Sequence, residues 1–453
     1  MRTHARWHLT VPVVLVLFVA CSEDSPPTKP AAVPAAVSAA EALPFEVWLV
    51  DQSNSPDRAF GGTIHIFDGS DLMDDEAWSA VPTHVLDLAG ATAALCMATT
   101  GANPVRPHML FFNAGRTHAL LAFVASGHVV VFDAATRAPV ACLRSSPGAG
   151  GARQAHAAFP APDDSYILVA NQNGKLLERI SADYATNSFA LEPAATLDLA
   201  SCTTPNGLPC QEPSLRPDNA PICPLLDGAG DLSWVTLRGG GLFVVDVRST
   251  PMRIVAEYDR ETVHPNGCGG SAVGGHMYIN SGGALATNLS EFDVYQFPLS
   301  GYSATNPPNV PAPRRVFTRD DEAGRDAHRM QPTRDGRYLW AFDRAKNVAE
   351  VFESSSGAHL GTIDLRGEGV PDPTPDLSDV SPGGNRMFVA LRGPNPLSGD
   401  PHVSTGSTPG IGIYQLEESG QRGVLKAVVR VTNLDAGGVE RADPHGIAVR
   451  LPR

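Results

Sequence analysis

The stretch from Arg325 to Leu365 constrains this chain most, because it spells out one complete small sheet that the rest of the sequence repeats. A short run carrying His328 leads into Pro332-Thr333-Arg334-Asp335-Gly336. In that turn the proline presets φ and the glycine permits a positive one. Tyr338 to Phe342 follows, then a polar turn, Val348 to Phe352, a Ser-Gly turn and a closing run through Ile363. Each run is short, rich in β-branched and aromatic side chains, and bounded by turn residues. The stretch reads as an opening strand, two middle strands and an outer strand of one antiparallel sheet.

The same grammar recurs from Phe45 onward. Opening runs stand at Arg106-Pro107-His108, Gln154-Ala155-His156, Pro221-Ile222-Cys223, His264 to Cys268, Arg325 to His328 and Pro375-Asp376-Leu377. Ahead of them lie Val47 to Val50, Thr63 to Phe67 and His84 to Leu88, strands that lack an opening run. At the other end Asp443 to Val449 is an opening run with nothing after it. Joining the two ends makes a seventh unit and pairs sheet edges that would otherwise be exposed. Four-stranded units of about forty residues are the signature of propeller blades. The expected fold is therefore all-β, a seven-bladed β-propeller over residues 45–453 whose N- and C-terminal strands share one blade. The 43 Gly and 39 Pro suit a chain built of tight turns.

Val129 to Thr136 (Val-Val-Val-Phe-Asp-Ala-Ala-Thr) resembles the Tyr-Val-Thr-Asn type propeller repeat and the related lactonase-like and quinoprotein-like propellers. Arg106 to Met109, Ser381 to Val389 and Pro444 to Val449 fit the same pattern. The resemblance implies the fold over nearly all of residues 45–450 and leaves the activity open among lactonases, dehydrogenases, metal carriers and binding scaffolds.

In such a ring the opening strands line the central channel, so His108, His156, His328, His445 and Asp376 should converge, with Cys223, His264 and Cys268 nearby. The offset to the following turn is the same from His156 to Asp164, from His328 to Gly336 and from Asp376 to Gly384. That predicts equal depth for these three and puts His108 one residue out of step. Imidazoles meeting from different strands can bind Zn or Cu. The same histidines can also serve a wet channel by hydrogen-bonding neighbouring blades. The sequence holds no His-x-His pair, no Cys-x-x-Cys and no Gly-x-Ser-x-Gly elbow.

A net charge of −14, spread along the chain, excludes nucleic acid as a partner, since phosphate contacts need clustered Lys and Arg. Arg2, Arg6 and the apolar run Leu9 to Ala20 read as an export signal over residues 1–20. Phe18-Val19-Ala20-Cys21 resembles the lipobox of bacterial lipoproteins, with Phe18 where that family carries Leu. The resemblance implies that Cys21 becomes a lipid-modified N-terminus, and Ser22 after it implies the outer membrane. Residues 21–44 are a Pro/Ala-rich tether without the apolar content to fold. Cys202 with Cys210 across a turn-rich loop, and Cys223 with Cys268 on neighbouring blades, are disulfide candidates for an exported protein. Cys223 and Cys268 could instead be soft metal ligands, and Cys96 and Cys142 are left unassigned.

Nothing in the chain demands catalysis. The leading expectation is an envelope lipoprotein, held to the membrane by its lipid and facing the periplasm or cell surface, whose propeller binds a protein or small molecule. The alternatives are a periplasmic Zn or Cu protein or metalloenzyme using the channel histidines, and a lactonase-like hydrolase.

Overall fold

The computed structural model describes residues 43–282, 291–303, 310–319, 324–397 and 405–452. The expected export signal, Cys21 and the expected tether up to residue 42 lie outside the described residues. Seven antiparallel sheets are present, six of four strands and one of five. Blade 1 runs through Pro107–Phe112, His118–Phe123, His128–Asp133 and Pro139–Arg144. Blades 2 to 6 open with Ala155–Pro160, Pro221–Leu226, Gly270–Val273, Ala327–Pro332 and Pro375–Val380. Blade 7 joins the two ends of the chain, in the order Pro444–Arg450, Glu46–Asp51, Thr63–Asp68 and His84–Asp87. Trp48 pairs with Ala448 and Val47 with Val449 in that seam. The innermost strands touch one another in chain order around the ring, and Pro444–Arg450 touches both blade 6 and blade 1. The chain is a closed seven-bladed β-propeller.

Why these residues form this ring follows from burial. A second strand lies between neighbouring blades and is covered on both faces, so it reads as a continuous apolar run. His118–Phe123, Tyr166–Asn171 and Tyr338–Asp343 are buried along their whole length. Outermost strands alternate or face solvent, as in His359–Asp364 and Arg314–Arg319. Trp48, Trp234 and Trp340 are fully buried between sheets. Buried aromatics also carry a polar tip across the blade boundaries. The hydroxyls of Tyr166, Tyr278 and Tyr414 donate to Gly230 O, Ser354 O and Leu365 O at 2.6, 2.7 and 2.8 Å. Trp340 Nε1 donates to Gly420 O at 2.7 Å.

Three details depart from the sequence reading. His264 to Cys268 is not a strand: the innermost strand of blade 4 begins at Gly270. In blade 2 the single outer strand of the four-strand pattern shrinks to Leu197–Asp198, because Leu176–Asp183 runs on into a hairpin with Ser188–Leu191. A helix, Ala91–Thr100, stands where no element was expected. Its Ala-, Leu- and Met-rich sequence favours helix, and Gly101 ends it at φ 72°. It packs on the outer edge strand of blade 1. Cys96–Cys142 fixes it there, and Thr99 Oγ1 donates to Cys142 O at 3.0 Å. The helix thus covers an edge that would otherwise invite pairing.

Candidate metal centre in the channel

Six innermost strands carry a β-bulge near their start. A bulge inserts one unpaired residue and re-aims its side chain. Here a Pro or Ala precedes the redirected residue: Pro107 before His108, Ala155 before His156, Pro221 before Ile222, Ala327 before His328, Pro375 before Asp376 and Pro444 before His445. Proline suits the first position, where no ladder donor is required. His108, His156, Ile222, His328 and His445 all line one central cavity of about 70 Å³, enough for several ordered waters or one small ligand group.

His108 is in step with the others, contrary to the expectation. The left-handed residue of its turn is Arg116 at φ 56°, not the adjacent Gly115. Asp164, Gly336 and Gly384 hold the same turn position in their blades at 61°, 69° and 76°. Measured to that residue, all four innermost strands have equal length.

The ring places donors from three consecutive blades at one point. Asp376 Oδ1 lies 2.9 Å from His328 Nδ1 and 3.4 Å from His445 Nε2. All three side chains are buried. Although close, His328 Nδ1 and Asp376 Oδ1 are not aligned for a hydrogen bond, and both are buried without an aligned partner. Two ligand atoms bound 2.0–2.1 Å from one ion stand about 2.9 Å apart at 90° and about 3.4 Å apart at the tetrahedral angle. The observed separations match those edges. Next to them, His108 lies against His445 at a tilt of 34° with ring centroids 3.7 Å apart, and His156 meets His108 edge-on at 4.8 Å. Gln52 Oε1 accepts from His108 Nδ1, which leaves Nε2 as the lone-pair nitrogen, buried and without a partner.

A second ring, missed in the sequence, supports the first. The residue just past six of the seven second strands also lines the cavity: Gln52, Val124, Gln172, Arg238, Arg344 and Arg392. Arg392 donates to Asp376 Oδ2 at 2.8 Å and grips Asp443 at 2.5 and 2.7 Å. Arg344 holds Asp326 at 2.7 and 2.9 Å and lies 3.5 Å from Asp376 Oδ2. Gln52 Nε2 donates to Asp443 Oδ2 at 3.1 Å, tying His108 into the same network. The signal was present in the sequence as a polar residue ending an apolar run, at the same place in five of the seven units. Backbone closeness positions the ring as well. A Cβ on Gly269 would stand 1.8 Å from His328 O, so only glycine lets blades 4 and 5 approach there.

Electrostatics prepare these groups for a cation. Burial would raise the Asp376 carboxyl, but His328, His445, Arg392 and Arg344 together hold it well below its ordinary range. Burial pushes His108 and His445 well below the usual imidazole range, and His328 below it too. Ligands must be deprotonated to bind metal. Near neutral pH this set holds a carboxylate and lone-pair imidazoles.

The remaining sequence candidates divide. Cys202–Cys210 and Cys223–Cys268 are both disulfide-bonded. The second pair sits beside His156 at the channel wall. His264 does not join the channel histidines. Its Nδ1 lies 2.6 Å from Asp293 Oδ2 and 2.8 Å from Glu291 Oε2, and the Asp293 hydrogen bond raises its pKa.

No protein-family model matches the chain, and no curated protein sequence does. Solved structures share its architecture. A protein from Sulfolobus tokodaii, described as a hypothetical selenium-binding protein, aligns over 91% of this chain and 95% of its own, with 10% identity and a TM-score of 0.60. The periplasmic gluconolactonase of Pseudomonas aeruginosa aligns over 90% and 100%, with 14% identity and a TM-score of 0.53. The propeller domain of Cps50 (Swd1) from Myceliophteria thermophila covers 82% of this chain and 96% of its own, with 10% identity and a TM-score of 0.51. What they share with this chain is the propeller. At such identities the likeness is one of fold alone, and function has to be argued from the channel.

Proposed function

We propose that this protein binds one Zn or Cu ion in its propeller channel, through His328 Nδ1, Asp376 Oδ1 and His445, with His108 and His156 beside them. The observation that carries this reading is the convergence of His328, Asp376 and His445 from three blades at ligand-to-ligand separations, with His328 Nδ1 and Asp376 Oδ1 lacking aligned hydrogen-bond partners. Two imidazoles and a carboxylate suit Zn and leave a coordination position for water, and the nearby imidazoles suit Cu equally. Arg392 and Arg344 act on the far carboxylate oxygen, fixing Asp376 and balancing its charge. Bound there, a metal would supply Lewis-acid chemistry next to the cavity. Elemental analysis after loading with Zn or Cu tests this. About one equivalent is expected, abolished in His328→Ala/His445→Ala with the fold intact by circular dichroism.

A second reading, a lactonase-like hydrolase, is supported by the small cavity adjoining the donors and by the gluconolactonase among the similar folds. Metal-loaded protein that opens a sugar lactone, with the activity lost in His328→Ala/His445→Ala, would establish it. We further propose that the protein is exported and held to the cell envelope, at the outer membrane, by a lipid on Cys21. Three disulfides support an oxidising compartment. A Cys21→Ala variant should leave the membrane fraction, and its continued retention there would contradict the anchor.

A further inference from the structure

The arc of the channel wall opposite His328 and Asp376 carries sulfur. His156 in blade 2, Cys223 in blade 3 and Cys268 just ahead of the innermost strand of blade 4 offer donor atoms all within 4.8 Å of one another. Cys223 and Cys268 are buried, 45 residues apart in sequence and joined across neighbouring blades with a Cα–Cα distance of 5.3 Å. Cys268 and His156 line the same cavity as His328 and His445. Neither Cys96–Cys142 nor Cys202–Cys210 belongs to any metal-competent side-chain group among the described residues. A cross-link needed only to join two blades has no reason to face an imidazole in the channel.

We propose that Cys223–Cys268 masks a second metal site, which a dithiol reductant opens and which then takes a soft cation, copper(I), on two thiolates and His156. In the opening step the S–S bond breaks as two electrons and two protons pass from the reductant, which becomes a disulfide. Copper(I) then displaces both thiol protons to solvent as the thiolates and the imidazole bind it. Two thiolates with one imidazole suit copper(I) better than the harder His328, Asp376 and His445 set does. As a disulfide the same sulfurs lack the charge to hold it. The site stands whether or not the His328, Asp376 and His445 centre binds metal, because none of those three ligands belongs to it.

The test titrates oxidised and dithiol-reduced protein, desalted without oxygen, with copper(I) against a chromophoric copper(I) chelator. Reduction should add one equivalent of copper(I) and a thiolate-to-copper charge-transfer absorption in the ultraviolet. Cys223→Ser/Cys268→Ser should lose both, whereas His328→Ala/His445→Ala should keep both. His156→Ala retains the disulfide and should weaken the added equivalent by at least about tenfold, the scale of a lost metal-site contact. Equal copper(I) binding in the two redox states overturns the proposal. So does an added equivalent that survives Cys223→Ser/Cys268→Ser. Should that double variant fail to fold, unchanged affinity in His156→Ala is equally decisive against it.

Discussion

The two arcs of the channel wall differ in chemistry and in where the backbone sets their donors. His328, Asp376 and His445 of one arc and His156 of the other each follow the Pro or Ala that opens a bulge, whereas Cys223 stands one residue further on, past Ile222, and Cys268 lies ahead of the innermost strand of blade 4. The first arc is ionic. Its carboxylate is braced by Arg392 and Arg344, which are in turn held by Asp443 and Asp326. The second arc carries two sulfurs bonded to each other and has no carboxylate among its donors. The ionic arc thus uses one redirected position in each of three blades, the sulfur arc draws its cysteines from neighbouring positions, and the donor types decide which cation each arc suits.

The largest effect should come from breaking the ionic arc. Asp376→Ala leaves Arg392 and Arg344 buried with one acceptor fewer. Removing one partner of a buried charge network costs about 3–5 kcal/mol, and urea unfolding of the metal-free protein measures it. Breaking the sulfur arc should cost less. Cys223→Ser/Cys268→Ser removes one cross-link from the oxidised protein, and such a loss is typically about 2–4 kcal/mol. A ranking in which the cysteine variant is the weaker of the two would contradict the contrast between the arcs.

A smaller effect separates the arcs by pH. In the folded protein burial depresses the pKa of His445 well below the ordinary imidazole range. Its contribution to stability is present above the unfolded value and is lost as pH falls, because only the unfolded chain then gains the proton. Taking the unfolded value near 6.5, metal-free wild type should lose about 2 kcal/mol relative to His445→Gln between pH 7 and pH 5. Denaturant curves at the two pH values check this, and a constant difference would sink it. The smallest effect lies away from both arcs. Tyr414→Phe removes one hydrogen bond between blades 5 and 6 and should cost about 0.5–1.5 kcal/mol without changing metal content.

The ring itself was legible because its signals are local and repeated. Turn residues mark each strand, and the unmatched runs at the two ends complete one another in blade 7. The channel histidines were legible for the same reason. What escaped has physical causes. Arg116 adopts a left-handed conformation that sequence assigns to the neighbouring Gly115, and this hid the register of His108. Arg344 and Arg392 read as ordinary polar strand ends, since their acceptors Asp326, Asp376 and Asp443 are brought in by other segments of the ring. The pairing of Cys96 with Cys142 depended on the helix Ala91–Thr100 lying on blade 1, a contact that no local pattern specifies. His264 stood at an apparent opening run, and only the pairing of Gly270–Val273 shows that the strand begins later.

X-ray absorption at the metal edge, on oxidised protein loaded with Zn, tests the central claim most directly. The account predicts a nitrogen and oxygen shell at about 2.0–2.1 Å and no sulfur neighbour, with the signal lost in His328→Ala/His445→Ala. A sulfur shell near 2.3 Å in oxidised protein, or less than about a tenth of an equivalent of bound metal, would contradict it.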